Sequence, residues 1–198
     1  FNIAACIEPD RSRREAFMEY WGLESGYADI ASCRAATGMN FDVASICTPT
    51  EFHADCVIEL ADDPVRLVFC EKPMAADYAS ASAVVAECDR AGKPLFVNYL
   101  RRWCSELSEL ADNLHSGRLG EVQCVSVRYA KGLVHSGSHA LDLLHFFFGD
   151  LRVESILGTV DDGRTADRTF NGLLRTEDDA PIFLIGSDYR KYSLFEID

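Results

Sequence analysis

Short apolar runs alternate with amphipathic stretches through the first half of the chain. Residues 1–7 (FNIAACI) are apolar and stop at Glu8-Pro9-Asp10. Further apolar runs cover 41–47, ending at Thr48-Pro49, then 65–70, ending at Glu71-Lys72-Pro73, and 94–98. Each reads as a strand. Between them lie helical stretches: Arg11–Trp21 closed by Gly22, residues 51–60 with Phe52, Cys56 and Leu60 on one face, and residues 75–91 closed by Gly92. Near-continuous apolar strands joined by helical crossovers predict an α/β unit with a parallel sheet covered on both faces.

The second half has a different rhythm. A helix is predicted over 103–115, ending at Ser116-Gly117, and another over Ser138–Phe148, stopped by Gly149. Residues 121–129 alternate strictly, as a half-buried strand does, with Val122, Cys124 and Ser126 on one face and Gln123, Val125 and Val127 on the other. Strand-like runs follow at 153–160, 168–176, 181–189 and 192–197. Helices followed by consecutive strands predict an α+β domain with a mainly antiparallel open sheet. The boundary is placed near Asn98, giving domains 1–98 and 99–198. No internal repeat or low-complexity tract interrupts either half.

Composition narrows the function. With 48% hydrophobic and 26% charged residues the chain has enough apolar surface to fold. A net charge of −13 repels phosphate-rich partners, so neither nucleic acid nor an anionic membrane surface is expected to bind. No apolar run is long enough to span a bilayer. The eight cysteines include no CxxC pair, and Cys6, Cys47, Cys70 and Cys124 sit in apolar runs where cysteine acts as a small buried hydrophobe. That pattern predicts a reduced, cytoplasmic protein.

In an open parallel sheet, ligands bind at the carboxyl ends of the strands. Glu8, Thr48-Pro49 and Glu71-Lys72-Pro73 all stand at such ends. Together with later motifs they make the chain similar to the Gfo/Idh/MocA family, named for glucose-fructose oxidoreductase, inositol dehydrogenase and the MocA proteins. The matching residues are Asp42-Val43-Ala44-Ser45-Ile46-Cys47-Thr48-Pro49 with His53 beyond, Cys70-Glu71-Lys72-Pro73, Asn98-Tyr99 with Arg101-Arg102, Ser116-Gly117-Arg118-Leu119-Gly120, and Gly137-Ser138-His139-Ala140-Leu141-Asp142-Leu143-Leu144. Their order and spacing cover most of the chain.

The resemblance implies a Rossmann domain followed by a domain with a large open sheet, with NAD or NADP as cofactor. It implies an oxidoreductase moving a hydride between that cofactor and a hydroxyl carbon of a sugar, nucleotide sugar or cyclitol. The family's conserved lysine falls on Lys72 and its catalytic histidine on His139. Histidine titrates near neutrality and can take the hydroxyl proton; lysine can donate to the reacting oxygen. Glu8, Thr48, Pro49, His53, Glu71, Lys72 and Asn98 are the candidates for cofactor binding. Lys72, Arg102, His135, His139 and Asp142 are those for substrate.

Asp142 shares a helix face with His139, and Gly137 and Ser138 are expected to allow close approach and capping at that helix's start. Family members often carry aspartate four residues before the histidine; here that position is His135, a departure that bears on substrate choice. Glu8 stands where the family places its ribose-binding acid, which favours NAD over NADP. The neighbouring Arg11, Arg13 and Arg14 are read as a solvated helix face.

The spacing of His135, His139, Asp142 and His145 also resembles a metal site, but His145 is out of phase with His139 on a helix, and no metal is assigned. No GxGxxG precedes Glu8, although that fingerprint is expected ~20 residues ahead of the acid. The first strand, glycine turn and first helix of the fold are therefore expected to be missing, and the second sheet to be short of strands at its end. The alternatives are a non-catalytic dinucleotide- or sugar-binding regulator of the same fold, or a fragment inactive as it stands. Both faces of the second-domain sheet are partly apolar, so a homodimer or homotetramer is expected.

Overall fold

The computed structural model describes residues 2–198. The chain divides into two compact units, Phe1–Val97 and Asn98–Asp198.

In the first unit β1 (Cys6–Ile7) pairs in parallel with β2 (Gly26–Tyr27), and β3 (Val43–Ile46), β4 (Leu67–Cys70) and β5 (Leu95–Val97) form a second parallel sheet in that order. Of the strand expected over 1–7, only Cys6 and Ile7 pair, and Phe1 lies outside the described residues. Helices α1 (Arg11–Trp21), α2 (Ile30–Thr37), α3 (His53–Leu60) and α4 (Tyr78–Ala91) make the crossovers. Val57, Leu60, Val65, Val68 and Val84 are buried in one core, against which Tyr27 and Ile30 of the smaller sheet's region also pack.

The helix limits follow from side-chain caps. Asp10 and Asp77 accept the N3 backbone N–H groups of α1 and α4, and Gly22 and Gly92 end those helices in the left-handed conformation. Because Asp77 caps α4, the helix starts at Tyr78, three residues later than the sequence pattern suggested. The hydrophobic pattern does not mark β2 and α2. Asp29 and Ser32 form a capping box there, but a helix of eight residues with only Cys33 buried leaves little periodicity to detect. In α3 the buried face is His53, Val57 and Leu60. The expected face was displaced: Phe52 is exposed in a 3₁₀ turn ahead of the helix, and Cys56 is half-buried.

In the second unit the sheet order is β10-β6-β9-β8-β7, from β6 (Val125–Ala130), β7 (Arg152–Val160), β8 (Thr169–Arg175), β9 (Pro181–Ser187) and β10 (Glu196–Ile197). Three pairings are antiparallel and β6–β9 is parallel, so the sheet is mixed. The parallel pair arises because α6 (Ser138–Phe148) carries the chain across the sheet after β6. Residues 121–124 alternate as a strand would but lie outside the sheet, since the β6–β9 register begins with Val125 opposite Ile182. Of the last predicted strand only Glu196 and Ile197 pair, against Arg128 and Val127.

One face of this sheet (Val125, Val127, Tyr129, Leu174, Ile182, Leu184) packs on Ala140 and Leu144 of α6. Helix α5 (Ser105–His115) adds Ala111 to a smaller cluster with Leu143 and Phe147. All eight cysteines are free thiols. Cys70 is buried as expected, but Cys47 and Cys124 are exposed and Cys6 is half-buried. Cys47 follows β3 and Cys124 precedes β6, each one residue outside its strand, where the alternation no longer turns side chains inward. No helix among the described residues is long and apolar enough to cross a membrane.

Candidate active site

The first unit supplies strand ends. Glu8 follows β1; its Oε1 accepts the Asp10 N–H at 2.9 Å, which fixes the carboxylate beside the start of α1. Two of the arginines near it have other partners than its carboxylate. Arg11 pairs with Glu15 at 2.7 Å, and Arg14 donates to the Glu8 and Pro9 carbonyl oxygens. Thr48 and Pro49 are exposed after β3, and Glu71, Lys72 and Pro73 are half-buried after β4. The Glu71 carboxylate accepts the Lys72 backbone N–H at 3.3 Å.

His53 ties two of these turns together. It is 1% exposed; Nδ1 lies 2.7 Å from the Pro73 carbonyl oxygen and Nε2 2.7 Å from that of Thr48. Both ring nitrogens face backbone carbonyl oxygens, so His53 braces the Thr48 and Pro73 turns. Cys70, beneath Glu71, is pushed up to about 12 by burial, so it remains a thiol and is no nucleophile.

The second unit opens with Asn98 and Tyr99. Tyr99 meets the His139 ring edge-on, with centroids 6.0 Å apart and planes at 87°. Burial raises the Tyr99 hydroxyl above its ordinary value, so it stays protonated and able to donate at neutral pH. Asp142, one turn after His139, has a side chain only 10% exposed. Its Oδ1 accepts from Arg102 Nε at 2.8 Å, and Arg102 Nη2 reaches the Asp142 carbonyl oxygen at 3.3 Å.

Two of the predicted substrate residues are thus bonded to each other. Burial pushes the Asp142 carboxyl up, and Arg102 draws it part of the way back. Asp142 Oδ2 and Ser138 Oγ are buried without a hydrogen-bond partner. Ser138 lies close enough to Tyr99 to offset a little of the rise in its hydroxyl. A sealed orphan acceptor costs about 1–3 kcal/mol, which folding alone has no reason to bear.

The expected cap at Ser138 is not made. The helical run starts earlier, with a π-turn over Leu133–Gly137 that passes directly into α6, so His139 lies inside a helix and not at its free end. His135 is exposed on the π-turn. Among the described residues no group of three or more His, Cys, Asp or Glu could hold a metal.

The model of a family described as an oxidoreductase family with an NAD-binding Rossmann fold, Gfo/Idh/MocA, matches residues 1–99. D-apiose dehydrogenase of Paraburkholderia graminis is 30% identical over 166 residues, covering 75% of this chain and 44% of that protein. Inositol 2-dehydrogenase of Rhizobium meliloti is 30% identical over 125 residues, 63% of this chain and 36% of that protein. The chain therefore spans about half the length, or less, of these curated relatives.

Among solved structures, an oxidoreductase from Agrobacterium radiobacter in complex with NAD+, L-tartaric acid and magnesium superposes with a TM-score of 0.79 at 25% identity, covering 98% of this chain and 62% of that one. The WlbA dehydrogenase from Bordetella pertussis, in complex with NADH and UDP-GlcNAcA, gives 0.81 at 21% identity, covering 93% and 64%. The latter likeness speaks to fold.

Proposed function

Because the chain belongs to the Gfo/Idh/MocA oxidoreductase family, we propose that the protein transfers a hydride between NAD and a hydroxyl-bearing carbon of a sugar, nucleotide sugar or cyclitol. The observation that carries this reading is the Asp142 carboxylate. It is buried one helical turn from His139, with Oδ1 held by Arg102 and Oδ2 without a donor. An acceptor kept unsatisfied beside a candidate base suits a polyol, whose hydroxyl supplies the missing donor once the carboxylate rotates.

A bound nicotinamide supplies the hydride acceptor, and the chain's residues bind, orient and move the proton. The donor set fits such a cofactor: an acid fixed at the end of β1, and backbone turns at the ends of β3 and β4 braced from beneath by His53. His139 takes the hydroxyl proton as the base, with its ring steadied by the edge of Tyr99. Lys72, at the strand-end turn after β4, is a donor suited to stabilising negative charge that develops on a reacting oxygen. Arg102 fixes the Asp142 carboxylate, and His135 reaches the substrate from the π-turn. Residues 1–98 serve the cofactor and 99–198 the substrate and self-association. The assay that tests this is NADH formation by the full-length protein with pentoses, inositols and nucleotide sugars. NADH from none of them would contradict it.

Glu8 supports NAD over NADP, since a carboxylate accepts from ribose hydroxyls and repels a 2′-phosphate. Glu8→Ala is expected to shrink the preference for NAD roughly tenfold, the scale of one charged hydrogen bond. Steady-state comparison of the two cofactors checks this, and equal use of NADP by the parent protein contradicts it.

Self-association is supported by the sheet face turned away from α6. Phe183 and Ile185 of β9 are exposed there. A homodimer or homotetramer covering this apolar surface is expected in light scattering, with Phe183→Asp shifting it toward monomer. A strictly monomeric parent would contradict the reading. Free thiols and an acidic surface are in keeping with a cytoplasmic setting.

A further inference from the structure

Four consecutive backbone N–H groups begin the helical run that carries His135 and His139, and all four are bonded to one three-residue segment. Gly132 N donates to Thr169 Oγ1 at 2.8 Å, Leu133 N to the Arg168 carbonyl oxygen at 3.0 Å, Val134 N to Asp167 Oδ1 at 2.8 Å and His135 N to Asp167 Oδ2 at 2.9 Å. The start of a helix leaves such groups without partners inside the helix. Here they are satisfied by residues more than thirty positions away.

The segment is itself held. Arg164 donates to Asp167 through Nη2 to Oδ2 and Nε to the carbonyl oxygen, both at 3.2 Å. Thr169 Oγ1 donates to Asp162 Oδ2 at 2.8 Å, and Asp162 is 1% exposed. Asp167 also lies against Gly132, where an added Cβ would meet its carboxylate oxygens at 2.1 and 2.6 Å, and Gly132 has a φ of +87° that disfavours any side chain.

We infer that Asp167 is a positioning residue for the candidate catalytic histidine: its carboxylate holds the π-turn open and thereby sets the direction in which His139 projects from α6. This rests on the reading of His139 given above.

The physical reason is phase. Gly137 N bonds back to the Gly132 carbonyl oxygen at 3.0 Å, five residues away, closer than the α-type bond that Ser136 N makes to the same oxygen at 3.2 Å, so the turn is wider than an α-turn. If the turn relaxed to α geometry, the side chains beyond it would rotate by roughly 100°. Such a rotation would turn His139 and Asp142 together and take His139 off the edge of Tyr99. A wide turn is poor on its own and persists where its end is externally fixed. The bidentate carboxylate, reinforced by Arg164, is that fixture. The local sequence hides it, because Asp167 sits in an irregular loop between β7 and β8.

The test compares full-length parent, Asp167→Ala and Asp167→Asn, with His139→Ala alongside. Two readouts need no turnover: amide hydrogen exchange at Val134 and His135, and the imidazole signals of His135 and His139 in histidine-labelled protein. In Asp167→Ala those amides should exchange roughly ten- to hundredfold faster, and the His139 imidazole signals should move. Turnover should fall roughly tenfold or more with the KM for NAD unchanged. Asp167→Asn keeps an acceptor oxygen and should recover part of each effect.

Unchanged exchange and unchanged imidazole signals in folded Asp167→Ala would overturn the inference. So would lost protection with the His139 signals and the pH profile of turnover intact, which would make Asp167 merely structural. Should His139→Ala keep normal turnover, the catalytic reading of His139 fails, while exchange and imidazole signals still decide whether Asp167 sets its orientation.

Discussion

His139→Ala is expected to lower turnover ~100-fold or more, the usual scale for a positioned acid–base group, while leaving NAD affinity nearly unchanged. The separation follows from where the residue sits. His139 is a second-unit residue packed edge-on against Tyr99 and one turn from Asp142, whereas the NAD-binding family match covers residues 1–99. Lys72→Ala should cost a comparable factor in turnover. It should also weaken NAD binding, because Lys72 lies in the strand-end turn after β4 that His53 braces through Pro73. Steady-state kinetics and NAD titration of both variants check the split. Near-normal turnover in His139→Ala would make that histidine structural and shift the role of base to His135.

Asp142→Asn is expected to trade function against stability in an unusual direction. Burial raises the Asp142 carboxyl and Arg102 only partly offsets this, so its folded value lies above its unfolded one. Such a group binds protons more tightly when folded. Its contribution is therefore most favourable below the unfolded value and is lost as pH rises through the folded one. At neutral pH the ionised carboxylate is a net cost, and Asp142→Asn should leave thermal stability unchanged or slightly raised. Substrate binding should weaken roughly tenfold or more, because an orphaned charged acceptor has been replaced by a neutral amide. Arg102→Ala should go the other way, losing stability at neutral pH because a buried carboxylate is left without its partner. Loss of stability in Asp142→Asn with normal substrate KM would mean that the carboxylate serves the fold and not the ligand.

The first unit was largely legible because its strands are apolar throughout and end in residues that cannot continue them. Pro49 and Pro73 lack the N–H a strand needs, and Gly22 and Gly92 adopt left-handed backbone that ends a helix. The candidate site residues at those ends were visible for the same reason. Elements with few buried residues, such as α2 with Cys33 alone, left too little pattern to read.

The role of His53 was hidden because its partners are backbone carbonyls brought close by the fold, 5 and 20 residues away. Likewise, Ser138 looked like a cap because a serine before an apolar helix usually is one. The helix instead begins at the π-turn, whose supporting residues lie on the start of β8 and in the loop before it. Local periodicity carries no information about such contacts. The parallel β6–β9 pairing escaped notice too, since strand direction depends on the α6 crossover and not on the strands' own residues.

Hydride transfer itself is tested most directly by isotope transfer. The full-length protein is incubated with NAD and carbon-perdeuterated xylose or inositol, and the reduced cofactor is examined by mass spectrometry. If the protein is the proposed dehydrogenase, the NADH formed carries one deuterium from the substrate carbon, and the signal falls in both Lys72→Ala and His139→Ala. NADH without deuterium, or a protein that binds NAD and polyol yet forms none, would contradict the account.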